Sequence, residues 1–321
     1  MKNNTYKNNK RDNDGRAGGL AWLGYRLDMD TKSLVNFDTF KLENSDFWRR
    51  YKEFISNNVN KRTALDRINY SKKYYQILRD DSAQELLSLP VGKRVHVMKA
   101  LASLSKFTGC YDKWNLIIKK FNLKWSDENG LDIFKSIMID QDKSYDSMLE
   151  WIKQTIHSSI IPQKYKNIIL FIVMTGLRPS EALQSIKLIK EDNDNYLNKN
   201  TMLLEHFKYP QYFIRRTKKA YISIANKTIL DLAKNSAHLN SYMSLVSAIK
   251  RSIHNYHINT KYCRKVFATF LRNNGIEQEL IDLLQGRIPK SIFVKHYYRP
   301  NIEGFKNIRH ILEALHQEIT T

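Results

Sequence analysis

The apolar residues in the first half of the chain recur at the spacing of amphipathic helices, and turn signals separate the segments. In residues 45–123 this pattern predicts a compact, all-helical domain. Helices are predicted near Phe47–Ser56, from Thr63 to Leu78, over Val91–Phe107 and over Lys113–Phe121. A further short helix is predicted over Leu86 and Leu87, with a cap at Asp81–Ser82 and an end at Pro90.

After a polar stretch that predicts a linker at residues 124–140, the pattern changes. Three segments rich in β-branched and aromatic residues, Thr201–Phe207, Gln211–Thr217 and Ala220–Ala225, predict a small antiparallel sheet of three strands. Helices are predicted before and after it, near Tyr145–Ser158, Gln163–Thr175, Pro179–Lys190, Ile229–Lys234, Leu239–Ile253, Thr260–Asn273, Glu277–Leu284 and Gly304–Glu318. The predicted fold class is mainly α, with an N-terminal helical domain followed by an α+β domain over residues 141–321.

Residues 1–44 carry basic residues among asparagines and no apolar signal region, so we expect a flexible basic segment there. The longest apolar run, Ile168–Met174, has seven residues, which is too short to span a bilayer and places the run in a core. With only Cys110 and Cys263, the chain has neither a disulfide framework nor a Cys-rich zinc site. These features predict a cytoplasmic protein that does not bind a membrane.

The 321-residue chain has 53 Lys+Arg against 32 Asp+Glu, a formal net charge of +21, and a pI near 9.7. Charge of this sign steers a protein toward polyanions, and phosphate contacts supply most of the non-specific affinity for nucleic acid. The same charge also fits a well-solvated basic protein or one that binds anionic membrane surfaces. Nucleic acid is favoured because basic and aromatic residues are interleaved throughout the chain.

The segment Thr175–Glu181, of sequence TGLRPSE, joins two predicted helices. Gly176 is suited to end the first helix, and Pro179 to begin the second, where its missing N–H costs nothing. Arg178 then lies at a helix N-terminus, where free N–H groups favour an anion, and its guanidinium can bind two phosphate oxygens. Glu181 can hold that arginine in orientation. Taken alone, the segment also fits an ordinary junction between helices.

Lys261 and Arg264 are three residues apart and share one face of a predicted helix. Two adjacent cations repel each other unless an anion lies near them, although a solvated helix face explains any single pair of this kind. Arg287 follows 23 residues after Arg264, just past Gly286, and Tyr297 lies ten residues further on. A lone tyrosine near basic residues more often buries its ring than reacts.

In combination, these residues resemble the tyrosine site-specific recombinases, or phage-integrase family. The order is T-G-L-R-x-x-E, a hairpin lysine, a basic-x-x-R pair, a polar residue 23 positions on and a tyrosine about ten later. The resemblance covers about residues 140–320, and the helical segment 45–123 is similar in kind to the family's core-binding domain. The pair Lys261 and Arg264, together with Arg287, looks most like the integrases of archaeal viruses and integrated plasmids.

The resemblance implies a role for each matching position. Arg178 and Arg264 would bind the scissile phosphate and neutralise its transition state. The segment Arg216–Lys218 is similar to the hairpin that delivers the family's lysine, so Lys218 would protonate the departing 5′ oxygen. Lys219 is the rival for that role.

Two positions depart from the family's commonest pattern. Lys261 occupies the position usually held by histidine, and Arg287 a later position held by histidine or tryptophan. Because a lysine with an ordinary pKa of about 10.4 is a poor base at neutral pH, the path of the tyrosine's proton stays open. Tyr297 would be the nucleophile, with Tyr298 as the main alternative and His296 in a supporting role.

The implied reaction is attack of a tyrosine on a backbone phosphate, which gives a 3′-phosphotyrosyl link and a free 5′-hydroxyl. A 5′-hydroxyl of the partner DNA then reverses the step, as in integration and excision of a mobile element. Because the phosphotyrosine retains the bond energy, neither a cofactor nor a metal is expected. The expected partners are double-stranded DNA attachment sites and other copies of the chain, as a tetramer on DNA. The monomeric or oligomeric state of the free protein is left open.

Two other functions remain open. A type IB topoisomerase shares this kind of active site but relaxes DNA without exchanging partners, and the T-G-L-R-x-x-E segment and modest chain length favour a recombinase over it. The second alternative is a non-catalytic DNA-binding protein derived from an integrase, in which the two replaced histidines mark lost activity. The arginines, hairpin lysine and tyrosine argue against that alternative.

Overall fold

The computed structural model describes residues 45–80, 82–125, 134, 138–139, 144–215, 217–253, 256–288, 291–300 and 302–321. The chain divides into two compact units, residues 1–128 and 129–321. The segment 1–44, most of the predicted linker 124–140, and Asp81 of the predicted cap lie outside the described residues. The fold class is confirmed, since helices dominate both units and the second unit contains a small, three-stranded antiparallel sheet.

Helices around one core make up the described part of the first unit. They are α1 (Ser45–Asn58), α2 (Lys61–Tyr74), α3 (Gln76–Asp80), α4 (Gln84–Leu87), α5 (Val91–Phe107) and α6 (Tyr111–Lys120). Helix α2 packs along α5, and α1 contacts both. The segment predicted as one helix from Thr63 to Leu78 is two helices, α2 and α3, which meet at Tyr75. The largest core side chains, Tyr51, Tyr74 and Trp114, are almost fully buried.

The second unit is built around a central helix. Its elements are α7 (Tyr145–His157), α8 (Gln163–Thr175), α9 (Pro179–Glu191), α10 (Asn193–Tyr196), β1 (Leu197–Asn198), β2 (Leu203–Leu204), a 3₁₀ helix (His206–Lys208), α11 (Pro210–Phe213), β3 (Ser223–Ile224), α12 (Lys227–Lys234), α13 (Tyr242–Ser252), α14 (Lys261–Asn273), α15 (Gln278–Leu284), α16 (Ile292–His296) and α17 (Ile302–Thr320). Every residue of α8 from Asn167 to Thr175 is buried. Helices α7, α9, α12, α14 and α17 pack around it, as expected for a helix that is apolar on all sides. The predicted core position of Ile168–Met174 is therefore confirmed.

The sheet has the order β1-β2-β3, and both pairs of strands are antiparallel. In the register, Leu197 lies opposite Leu204, and Leu203 opposite Ile224. Strands β2 and β3 fall within two of the predicted segments, but β1 falls in none. The predicted strand Gln211–Thr217 is wrong over Gln211–Phe213, which is helical, whereas Ile214 forms an isolated antiparallel bridge with Lys219. Pro210 begins α11 there, because a proline at the first helical position already has the required φ. The aromatic Phe213 of this segment is fully buried and fills the core from a helix.

A buried histidine links β3 to its neighbours. His206 Nδ1 lies 2.6 Å from the Tyr196 hydroxyl, and His206 Nε2 lies 2.8 Å from Ser223 Oγ. The Tyr196 hydroxyl donates to Ser185 Oγ in α9 at 2.8 Å, and the ring of Phe213 stacks on His206 at 4.5 Å. Burial lowers the pKa of His206 to about 3, so the imidazole is neutral near pH 7. This network fixes α9 to the sheet.

Candidate active site

The junction between α8 and α9 forms as the sequence predicts. Gly176 ends α8 with φ +62°, and its N–H donates to the Ile172 carbonyl at 3.0 Å. A Cβ on Gly176 would lie 2.5 Å from the ring of Phe267 in α14, so the missing side chain lets the two helices approach. Arg178 is the N-cap of α9, and Pro179 is its first residue.

Glu181, in the first turn of α9, holds Arg178 in place. Glu181 Oε2 accepts from the Arg178 backbone N–H at 3.1 Å, and Oε1 accepts from Arg178 Nη1 at 2.9 Å. The side chain of Glu181 is fully buried, whereas that of Arg178 is 24% exposed. The carboxylate therefore lies behind the guanidinium and leaves part of it facing solvent at the positive end of a helix.

Ile214 and Arg215 pair with Lys218 and Lys219 to form a turn that lies against this arginine, and Arg216 of the predicted hairpin lies outside the described residues. An antiparallel bridge between Ile214 and Lys219 and a 3.0 Å bond from the Arg215 N–H to the Lys218 carbonyl close the turn. The Lys219 carbonyl accepts from Arg178 Nη1 at 3.1 Å. The side chains of Lys218 and Lys219 are exposed. The turn therefore carries two exposed ammonium groups on a backbone that is bonded to Arg178.

The loop after α15 packs on the same turn. Gly286 has φ +73°, and a Cβ on it would lie 1.7 Å from the Lys219 carbonyl oxygen. Only a residue without a side chain fits at this distance, so Gly286 brings the end of α15 against the turn. The adjacent residue Arg287 is exposed, and its Nη1 pairs with Asp282 Oδ1 at 3.2 Å.

Gln285 fixes Arg264 at this meeting point. The Gln285 side-chain Nε2 donates to the Arg264 carbonyl at 2.9 Å, and Arg264 Nη2 donates to the Gln285 carbonyl at 3.1 Å. The Gln285 side chain is buried, and Arg264 is half-buried. These reciprocal bonds join α14 to the end of α15 and restrict the orientation of the Arg264 guanidinium.

Arg264 lies among positive charges that the neighbouring carboxylate of Glu181 only partly balances. Burial lowers the pKa of Arg264 to about 10 from 12.5, and the positive charges of Arg178 and Arg287 add to this effect, while Glu181 opposes it. Arg264 nevertheless stays charged near pH 7. A half-buried cation beside like charges favours a bound anion, and guanidinium groups match phosphate geometry. Arg215 Nη2 pairs with Glu181 Oε1, the oxygen that also accepts from Arg178, at 3.0 Å. We refer to Arg178, Arg215, Arg264 and Arg287 as the arginine cluster.

Lys261 is the first residue of α14, one turn before Arg264, and its side chain is exposed. Among the described residues, its ammonium group makes no hydrogen bond or ion pair. The structure therefore places Lys261 on the same helix as Arg264 without a contact that restricts it.

Tyr297 directly follows α16 and is 71% exposed. Its backbone N–H donates to the Phe293 carbonyl at 2.8 Å, and its ring lies 6.4 Å from that of the exposed His296. Tyr297 lines a cavity of about 890 Å³ whose other lining residues include Glu277 and Glu279. Within the described part of the chain, neither a hydrogen bond nor a ring contact joins Tyr297 to the arginine cluster.

Tyr298 has a different environment. Its hydroxyl oxygen is buried. Burial and the neighbouring carboxylates of Glu277 and Glu279 raise the pKa of Tyr298 well above its usual value of 10. This phenol is therefore harder to deprotonate than an ordinary tyrosine.

The structure thus brings together Arg178, Glu181, Arg264, Arg287 and the turn of Lys218 and Lys219. Two further residues that hold the site together, Arg215 and Gln285, were not among the site residues predicted from the sequence. Arg215 lies three residues before Lys218, and Gln285 lies two before Arg287, but neither belongs to a recognisable spacing, and their contacts are with residues far away in the chain.

The chain is similar to a known protein family. The family described as archaeal phage integrase matches residues 145–307, about half of the chain. No curated protein and no solved structure matches the chain. Among the described residues, no helix is long and apolar enough to cross a membrane.

Proposed function

Because the chain belongs to the archaeal phage integrase family, we propose that it integrates and excises a mobile element by cutting and rejoining DNA through a phosphotyrosine. The double-stranded attachment site would be its substrate, and a tetramer its active assembly. The observation that carries this proposal is the convergence of Arg178, Arg264 and the turn of Lys218 on one partly exposed surface.

In the proposed cleavage step, Arg178 and Arg264 bind the non-bridging oxygens of the scissile phosphate. The exposed phenol of Tyr297 loses its proton to solvent, and its oxygen attacks phosphorus as the bond from phosphorus to the 5′ oxygen breaks. Lys218 gives a proton to the departing 5′ oxygen. Positioned cations at a developing phosphorane charge contribute strongly, since loss of one such donor costs about 10²–10³ in rate. Arg287 and Lys261 add positive charge around the same phosphate.

Two observations support Tyr297 over Tyr298 as the nucleophile. The Tyr297 phenol is exposed, whereas the Tyr298 hydroxyl is buried beside carboxylates that raise its pKa. Attack by Tyr297 requires α16 to carry the phenol to the arginine cluster of its own chain or of a neighbouring copy. His296, exposed beside Tyr297, is available to support the phenol.

The test uses a nicked suicide duplex that carries DNA from the boundaries of the element in which the gene resides. The natural chain should become covalently attached to the 3′ side of the break, which denaturing gels detect. Tyr297→Phe should give no adduct, and Tyr298→Phe, the matched control, should keep it. A mixture of Tyr297→Phe and Arg178→Ala regains adduct only if the tyrosine acts on a neighbour's site.

Four results would contradict the proposal. An adduct in Tyr297→Phe would assign the attack to another residue, and a 5′ linkage would exclude this polarity of cleavage. Relaxation of supercoiled plasmid without joined products would favour a topoisomerase. Binding without any adduct would favour a non-catalytic DNA-binding protein.

A further inference from the structure

Arg215 anchors the turn that carries Lys218. Its Nη2 donates to Glu181 Oε1 at 3.0 Å and lies 3.4 Å from Ser180 Oγ, both in the first turn of α9. The oxygen of Glu181 that Arg215 contacts also accepts from Arg178. The side chain of Arg215 therefore crosses from the turn to the N-terminus of the helix that holds a phosphate-binding arginine.

The turn is held on both flanks. On its N-terminal side, Arg215 pairs with the fully buried carboxylate of Glu181, and on its C-terminal side, the Lys219 carbonyl accepts from Arg178 Nη1. The bond from the Arg215 N–H to the Lys218 carbonyl joins the two flanks. Lys218 lies between them and has an exposed side chain. The position of its ammonium group depends on this frame, because no other element of the described chain bonds to that side chain.

We propose that Arg215 is a positioning residue for proton transfer to the leaving group, which it achieves by fixing the Lys218 turn to Glu181. This inference rests on the proposed function. Arg215 does not need to touch the DNA, since its guanidinium already pairs with Glu181. Its action is to keep the Lys218 ammonium within reach of the 5′ oxygen while Arg178 and Arg264 hold the phosphate.

The expected size of the effect follows from geometry. Without Arg215, the turn keeps the bond from Arg178 to the Lys219 carbonyl and the packing of Gly286, but its N-terminal flank loses its contact with α9. A misplacement of 1 Å in a reacting group costs about 10²-fold in rate, and a general acid contributes about 10²–10⁴-fold. We expect Arg215→Ala to lower the cleavage rate by roughly 10–100-fold, which is less than Lys218→Ala.

The test compares two suicide duplexes of identical sequence. In one, the scissile 5′ oxygen is normal, and in the other, sulfur replaces it. A thiolate leaves without a proton because its conjugate acid is far stronger than an alcohol, as the thiol pKa of about 8.5 shows. Sulfur should therefore restore cleavage by Lys218→Ala and by Arg215→Ala, and it should not restore cleavage by Arg178→Ala, which lacks a phosphate-binding group.

Two further variants complete the design. Arg272→Ala removes the same charge from the same unit, near the end of α14, where Arg272 contacts the Ile276 carbonyl. It should cleave both duplexes at the natural rate. Arg215→Lys keeps one donor for Glu181 and should retain more activity than Arg215→Ala. Because 44% of the Arg215 side chain is exposed, the two Arg215 variants should fold. If Arg215→Ala does not fold, Arg215→Lys carries the same test.

The outcomes separate the inference from the proposed function. A normal rate for Arg215→Ala on the oxygen duplex overturns the inference, and so does a defect of equal size on both duplexes, which would indicate a role in phosphate binding or in folding. Failure of the natural chain to form an adduct with either duplex would instead refute the proposed function. If the natural chain is active but sulfur does not restore cleavage by Lys218→Ala, the turn does not supply the proton to the leaving oxygen.

Discussion

Replacement of Gly286 by alanine tests the arrangement of the site most directly. A Cβ at this position would lie 1.7 Å from the Lys219 carbonyl oxygen, whereas an ordinary carbon–oxygen contact is about 3.3 Å. The turn or the end of α15 must therefore move by about 1.5 Å, since neither atom belongs to a flexible side chain. That shift breaks the 3.1 Å bond between Arg178 and the Lys219 carbonyl.

The same substitution also has a cost that is unrelated to the site. Gly286 has φ +73°, and a left-handed residue with a Cβ is destabilised by about 1–2 kcal/mol. Gly275 provides the matched control, because its φ is +81° and an added Cβ would meet nothing within 4 Å. The backbone cost is shared by both variants, so the difference between them measures the contact with the turn. Overpacking should add about 1–3 kcal/mol to the loss in Gly286→Ala.

Two assays separate the effects. Urea unfolding should give Gly286→Ala a free energy of unfolding about 1–3 kcal/mol below that of Gly275→Ala. Single-turnover adduct formation on the suicide duplex should fall by about 10²-fold in Gly286→Ala and remain near the natural rate in Gly275→Ala. Equal stability and equal cleavage in the two variants would show that Gly286 does not bring α15 against the Lys218 turn.

Two further predictions concern buried charge and buried histidine. Glu181→Gln should lower the free energy of unfolding by about 3 kcal/mol, because Arg178 and Arg215 lose their buried counter-charge. Added sulfate should raise the free energy of unfolding more in Glu181→Gln than in the control Glu191→Gln. An equal increase in the two variants would contradict this role of Glu181. His206 has a pKa of about 3 when folded and 6.5 when unfolded, so the unfolded chain binds the proton first as the pH falls. Its contribution to stability is present above pH 6.5 and lost toward pH 3, at up to about 1.4 kcal/mol per pH unit. The free energy of unfolding, measured with urea across this pH range, should change less steeply with pH in His206→Gln than in the exposed control His238→Gln. An equal dependence on pH in the two variants would show that His206 titrates normally.

The helices and their ends could be predicted where local chemistry is sufficient. Gly176 ends α8 and Pro179 begins α9 because a left-handed φ and a missing N–H are properties of single residues. The presence of a small sheet could be predicted from the sequence, but the positions of all its strands could not. Aromatic residues such as Phe213 fit a strand as well as a short core helix, and the choice depended on packing against His206 and Tyr196.

In the candidate site, residue types and spacing were enough to single out Arg178, Glu181, Arg264 and Arg287, since each lies at a helix end or on a helix face. The contacts that hold them were not readable from the chain, because they join residues distant in sequence. Arg215 meets Glu181 across 34 positions, and Gln285 meets Arg264 across 21. Hydrogen bonds of this kind depend on which backbones approach, and only the packed helices specify that. The sequence by itself predicted which chemical groups form the site, whereas folding determined their neighbours, their burial and the exposed position of Tyr297.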